Sequence, residues 1–332
     1  MITLHAKSPC CSAAVRRFGQ RRRQCTQCHR TWRIRIKKRG RPQTRIQVEL
    51  LHKVLLRRFT LRQLLERRPT LSLPAFRYRF RQTLQRFVKQ KHTHQIPQGP
   101  LILLADGLRF KFSGKVWVLY LTALKSCYRK EAIFLDPLLI PGMEGAKRWE
   151  QVFAAIPTHA CQRICGLVAD NLRGMQLIAR RHNWVLQLCQ FHMIHKLQFH
   201  RRGLHRKLKG GKVREEIYLL IRKALILPEG PAFKDVLDRL WYLTETSCGT
   251  RRMRLVVLEF LYCIDYYRAF ETHPGLGLPS TTNTMESMGN VVRDALRRSH
   301  AASNPKSLLL WATALLRLRP MIICNNKRLQ PN

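Results

Sequence analysis

Apolar residues recur along this chain with two different periods, and the change between them divides it. Between positions 46 and 90 the spacing is helical. Ile46, Leu50, Leu51, Val54 and Leu55 share one face, Thr60 stands where it can cap a short helix carrying Leu61, Leu64 and Leu65, and Pro69 marks a break. Phe76, Tyr78 and Phe80 alternate with arginines as a strand would, but Phe76, Phe80, Leu84, Phe87 and Val88 keep helical spacing over a longer window. The spacing predicts a third helix with Arg79, Gln82 and Arg86 on another face. Positions 91–100, punctuated by Pro97, Gly99 and Pro100, read as a linker whose histidines, His92 and His94, are filler rather than ligands.

From position 101 the pattern becomes strand-like. Leu101–Ala105 ends on Asp106-Gly107, Val116–Leu124 follows a Ser113-Gly114 turn, and Ala132–Leu135 completes an expected meander. An amphipathic helix is predicted near Ala146–Ile156, a buried strand over Ile164–Ala169 ending on Asp170-Asn171, a helix over Leu172–Arg181, and a strand over Trp184–Leu188. Three strands, then helix, strand, helix, strand, predict an α/β fold with a mixed sheet. In residues 193–278, Leu219, Leu220, Ala224, Leu237, Leu240, Trp241, Leu258 and Leu261 recur in helical patterns, which predicts a helical insertion; Trp241 reads as core more readily than as a base-stacking platform. Beyond it, Met285, Met288, Val292 and Leu296 form one helical stripe and Glu286, Asn290, Arg293 and Arg297 another.

Charge changes the picture. The 332 residues hold 62 Lys plus Arg against 19 Asp plus Glu, a formal net charge of +43, so a polyanion is the expected partner. The first 100 residues contain 26 of the bases and only two acids, Glu49 and Glu66. With so few intramolecular partners, the short helix, turn and basic helix read as a helix-turn-helix, with Arg79 and Arg86 directed at DNA. No stretch approaches the roughly 20 apolar residues of a membrane-spanning helix, and a signal peptide is not expected. Eleven cysteines in such a chain predict a reducing, cytoplasmic setting, nucleoid-associated in a bacterium, with some cysteines on metal.

Those cysteines begin in a cluster: Cys10, Cys11, then Cys25-x2-Cys28, with His5 and His29 nearby. The Cys25-x2-Cys28 spacing suits a zinc knuckle. Adjacent Cys10 and Cys11 look poorly placed to ligate one ion together, so Cys11, Cys25 and Cys28 are the expected thiolate ligands, completed by a histidine. Arg16, Arg17, Arg21, Arg22 and Arg23 lie between the halves, where a ribbon offers a loop to phosphates.

Three carboxylates are candidates for chemistry. Asp106 and Asp170 each follow an apolar strand pattern; Asp170 could instead cap the next helix, and Glu286 could close a capping box begun by Asn283. Together with Cys189-x2-His192 and the run Thr281-Thr282-Asn283-x-Met285-Glu286-Ser287, they resemble the DDE transposases of Mutator-like elements and related bacterial insertion sequences. The resemblance covers about residues 100–320, and Gln24-Cys25-x2-Cys28-x2-Thr31-Trp32 is similar to the zinc ribbons preceding some such cores. Ser8-Pro9-Cys10-Cys11 departs from their Cys-Pro-x-Cys knuckle.

The resemblance implies a ribonuclease H-like mixed-sheet core, over residues 101–192 and 279–320, interrupted by the helical insertion at 193–278. A zinc-ribbon-like module at 1–45, a helical DNA-binding region at 46–90 and a linker at 91–100 would precede it. It implies two magnesium ions, with manganese as a substitute, on Asp106, Asp170 and Glu286, with His192 near the reacting phosphate and Cys189 as buried support. Arg21, Arg22, Arg23, Arg79, Arg86, Asn290, Arg293 and Arg297 are the expected DNA contacts. Element ends and target DNA would be the substrates, and a homo-oligomer the assembly. A DNA-binding regulator, or a transposase whose core no longer cuts, is the alternative; an RNA-packaging protein accounts for the charge but not for the carboxylates.

Overall fold

The computed structural model describes residues 7–19, 22–33, 48–56, 59–66, 72–202, 211–246, 250–298 and 303–324, the side chains of 200–202 excepted. The chain divides into two compact units, Met1–Ile46 and Gln47–Asn332.

In the first unit, strands β1 (Val15–Arg17), β2 (Arg22–Cys25) and β3 (Thr31–Arg33) form an antiparallel sheet with β2 central. Val15 pairs with Cys25 and Arg23 with Trp32. Arg22 and Arg23 therefore sit on a strand rather than in a loop, while Arg21 and His5 lie outside the described residues.

The second unit opens with α1 (Val48–Leu55), α2 (Leu61–Glu66) and α3 (Leu73–Lys89). The Thr60 hydroxyl accepts from the Gln63 N–H at 3.2 Å, and Gln63 Oε1 accepts from the Thr60 N–H at 2.9 Å, a reciprocal cap that starts α2. Phe76, Phe80 and Leu84 are buried on α3, the stripe expected of them, whereas Arg77, Arg79, Arg81 and Arg86 are exposed. Strands β4 (Leu101–Phe112), β5 (Lys115–Ser126), β6 (Glu131–Phe134) and β7 (Leu138–Pro141) follow, then α4 (Ala146–Ala154), α5 (Thr158–Cys161), β8 (Ile164–Ala169), α6 (Met175–Arg181) and β9 (Val185–Leu188). Helices α7 (Gln190–Arg202), α8 (Gly211–Ala224), α9 (Pro231–Thr246), α10 (Arg251–Tyr262), α11 (Ile264–Tyr267) and α12 (Ala269–Thr272) fill the stretch expected to be a helical insertion. The unit closes with α13 (Asn283–Arg298), α14 (Pro305–Leu318) and β10 (Met321–Ile323).

Seven strands make one mixed sheet in the order β10-β6-β5-β4-β8-β9, with β7 also paired to β5. The meander β4-β5-β6 is antiparallel, and β8 and β9 run parallel to β4. The fold is thus α/β with a mixed sheet. Central β4 has strand partners on both sides up to Leu104, and Leu101–Leu104 is apolar and buried on both faces of the sheet. Trp149, Phe153 and Trp184 pack on one side of the sheet, and the buried residues of α7–α11 continue the same core. Trp241 is half-buried against this core, edge-on to Tyr262 with ring centroids 5.5 Å apart, as the core reading expected.

Helix α3 packs against α14, with the Phe80 and Trp311 rings 5.4 Å apart. Arg317 of α14 donates to the carbonyls of Val88 and Gln90 at 2.8 and 3.1 Å, and pairs with Asp136. No helix among the described residues is long and apolar enough to cross a membrane.

Candidate active site and candidate metal centre

Parallel pairing of β4 and β8 sets Leu104 opposite Val168, and two residues further along each strand come Asp106 and Asp170. The two carboxylates line one cavity of about 250 Å³, together with Glu144, His192, Arg109 and Arg293. Asp106 does not end its strand, as the sequence suggested. β4 runs on to Phe112, with Asp106 paired to Leu121. What stops near Asp106 is β8, so beyond that point β4 has a neighbour on one side only and its side chains become alternately exposed. Asp170 is not a helix cap either: α6 starts at Met175 behind Gly174, whose φ of +92° suits glycine, and among the described residues Asp170 Oδ1 accepts only from the adjacent Asn171 N–H, at 2.6 Å. A carboxylate spared from capping is available for something else.

Glu286 arrives on α13. The expected stripe Met285, Met288, Val292 and Leu296 is buried, and α13 packs on β4 with Gly289 facing Leu108, so close that a Cβ on Gly289 would lie 2.7 Å from Leu108 Cδ2. This approach brings Glu286 within electrostatic reach of Asp106. The capping box from Asn283 is not formed: Asn283 is already helical, and Glu286 Oε2 is buried without a hydrogen-bond partner among the described residues. Glu286 is not among the residues lining the cavity, whereas Arg293, about two turns further along the same face of α13, is. Arg293 donates to Asn290 Oδ1 at 3.2 Å, and Asn290 and Arg297 are exposed on the same helix.

The Cys-x2-His and Thr-Thr-Asn runs meet in space. Cys189 is buried at the junction of β9 and α7, and its sulfur accepts from the Thr282 N–H and hydroxyl, both at 3.1 Å. Burial pulls His192 down, but hydrogen bonding and charge from Cys189, with Asp170 and Asp106 beside it, hold it up at about 10. These neighbours favour the protonated form of His192, whose Nδ1 is buried and unpartnered among the described residues. For Asp106, burial is the largest influence and pushes the carboxyl up to about 6; Glu286 and Glu144 add to this, while His192 and the Gly107 N–H oppose it. Among the described residues, no three acids of the cavity bring their ligand atoms within 4.8 Å of one another.

Sequence reading missed two charged cavity residues, Arg109 on β4 and Glu144, the latter the more buried. Glu144 lies in the loop after β7, in the run Pro141-Gly142-Met143-Glu144-Gly145, where no periodicity marks an inward residue. Burial, then the charge of Asp170, raise its pKa, against opposing contributions from Trp149 and Arg109.

The four cysteines of the first unit do converge. Ligand atoms of Cys10, Cys11, Cys25 and Cys28 all lie within 4.8 Å of one another, with Cys10 and Cys28 sulfurs 3.3 Å apart. A tetrahedral zinc with bonds of about 2.3 Å sets its sulfurs about 3.8 Å apart, so this cluster can hold such an ion. Adjacent Cys10 and Cys11, expected to be poorly placed for one ion, bring their sulfurs close enough to each other and to Cys25 and Cys28 to share one. Ser8 accepts from the N–H groups of Cys11 and Ala13 at 3.3 and 3.2 Å, and this turn, with Ser12 at φ +50°, lets both neighbouring sulfurs reach one point. Ser8 and the Cys28 N–H lower the Cys25 thiol to about 6, while a hydrogen bond with Cys28 pushes Cys11 up to about 12. Four crowded sulfurs resist joint deprotonation, and a bound cation relieves that. In the second unit Cys127 and Cys165 lie 3.4 Å apart, a pairing that no spacing in the sequence revealed.

No protein-family model matches the chain, and no curated protein matches it either. The features in hand are an α/β fold with a seven-stranded mixed sheet, and a four-cysteine cluster able to hold a metal ion such as zinc.

Proposed function

We propose that this chain is a metal-dependent DNA transposase of the DDE type, with a ribonuclease H-like core and a zinc-bearing N-terminal ribbon. The observation that carries the reading is the convergence on one cavity of Asp106, within β4, and Asp170, just past the end of β8, with Glu286 brought by α13 within electrostatic reach of Asp106 and with Arg109, Arg293 and His192 alongside. A meander followed by two parallel strands with helices between them supports the same core.

The donor chemistry, though not yet a converged set of ligand atoms, is of the kind that divalent cations of the magnesium class take. The donors are hard oxygens, one oxygen of Glu286 is buried without a partner among the described residues, and Asp106 is pushed up by burial and by two neighbouring acids. When bound, two such ions would activate an attacking water or 3′-hydroxyl and stabilise the leaving oxygen. Asp106, Asp170 and Glu286 would hold them. Arg293 and Arg109 would orient the scissile phosphate by charge-assisted hydrogen bonds, and protonated His192 would neutralise charge that builds on its oxygens. Cys189 favours the protonated form of His192 and fixes the Thr282 end of α13. The exposed arginines of α3 and α13 and those of β2 would bind the flanking duplex.

The test is magnesium-dependent nicking and strand transfer on a labelled element end. Asp106→Asn, Asp170→Asn and Glu286→Gln should each lower cleavage by at least a thousandfold while leaving DNA affinity within about threefold, because phosphate affinity comes from the bases. A folded Glu286→Gln protein that still cuts at the parental rate would remove Glu286 from the site. A chain that binds DNA but never cuts would favour the binding-only alternative.

A further inference from the structure

We infer that Glu144 is a further cation ligand of the carboxylate cavity; this rests on the metal-dependent reading above. Glu144 reaches the cavity from a loop shaped to hold it. The Arg148 guanidinium folds back over Gly142 and donates to the Met143 carbonyl, and the buried Trp149 donates from Nε1 to Glu144 Oε1 at 3.1 Å. With its side chain only 13% exposed, Glu144 has an Arg109 nitrogen 3.9 Å from Oε2. It lies against the backbone next to Asp106, since a Cβ on Gly107 would be 2.7 Å from Glu144 Oε1. Glycine at 107 is thus the space that Glu144 occupies.

Two further observations point to a ligand here rather than to a buried ion pair. Asp106, 8% exposed, has Oδ1 on the Gly107 N–H, and Oδ2 has no hydrogen bond to protein among the described residues while the residue lines the cavity. Glu144 also feels Asp170, so acids from β4, from the end of β8 and from the loop after β7 face one space. Arg109 is more than half exposed and sits at a long distance, which makes it a weak neutraliser and leaves it free to turn toward a phosphate. Since no three of these acids stand within 4.8 Å of one another among the described residues, a divalent cation bound here would draw their oxygens together and offset their mutual repulsion.

The test uses the full chain with its cysteines loaded with zinc and no DNA present, titrated with Mn²⁺ and read by electron paramagnetic resonance or calorimetry. Glu144→Gln keeps the side-chain volume and an oxygen for Trp149, so folding in chelator should be preserved. It should weaken Mn²⁺ binding by about tenfold or more, as Asp106→Asn and Asp170→Asn should. If those two weaken binding and Glu144→Gln does not, the inference is overturned and the metal-dependent reading stands. If none of the three weakens it, both are overturned. A Glu144→Gln protein with a lower melting temperature in chelator but parental Mn²⁺ affinity makes the residue a structural support and overturns the inference as well.

Discussion

Cys10 and Cys11 reach a common point because Ser8 holds the turn around them, and the consequence belongs to single residues. Cys25 is the buried member of the four, held by Ser8 and backbone N–H groups that favour its thiolate. Cys25→Ser in the full chain should therefore lower bound zinc, measured by elemental analysis, from about one ion per chain toward none, and speed proteolysis between residues 7 and 33. Manganese binding by the carboxylate cavity should not change. Retention of a full complement of zinc would show that this cluster is not its site. Residue identity was legible here and geometry was not. The Cys25-x2-Cys28 spacing announced a knuckle, but whether two adjacent cysteines splay apart depends on a side-chain-to-backbone turn that spacing does not encode. Glu144 was hidden for a related reason. Its place in the cavity comes from Trp149 and Arg148 holding a loop, which leaves no period in the sequence.

Helix α13 depends on one close approach. Gly289 lets it lie on Leu108 of β4, and this carries Arg293 to the cavity and Glu286 within electrostatic reach of Asp106. Gly289→Val should push the helix away from the strand, costing about 1–3 kcal/mol of stability in chemical denaturation and lowering nicking further than the loss of folded protein explains. If cleavage falls only in step with the folded fraction, the helix position is not critical. The apolar stripe of α13 could be read from its spacing, because a helix side that packs must be apolar at every third or fourth residue. The extent of β4 could not. Asp106-Gly107 looks like turn punctuation, yet the strand continues, since β5 still pairs with it after β8 has stopped.

At the level of the whole chain, charge is the dominant property, and its effect is readable as a salt dependence. A net charge of +43 with exposed Arg79 and Arg86 on α3 leads us to expect DNA affinity to fall by about 10³-fold or more between 50 and 200 mM salt. Arg79→Ala with Arg86→Ala should reduce the slope of log affinity against log salt by about 1 to 2, while melting temperature stays within a few degrees. An unchanged slope would take α3 out of the DNA interface. Helix α3 contributes its apolar face to the same compact unit as the sheet, through Phe80 on Trp311 and Arg317 on the Val88 and Gln90 carbonyls, a union that composition did not announce. Periodicity, which is a local property of the chain, was enough to determine the α/β class, the helical stretch between Asp170 and Glu286 and the buried stripes, and charge alone led to the proposal of a polyanion as partner. The meeting of β4 with β8, of Cys189 with Thr282, of Glu144 with Gly107 and of four sulfurs at one point depended on folding. Each joins side chains whose proximity is created by packing and backbone turns rather than by their distance along the chain.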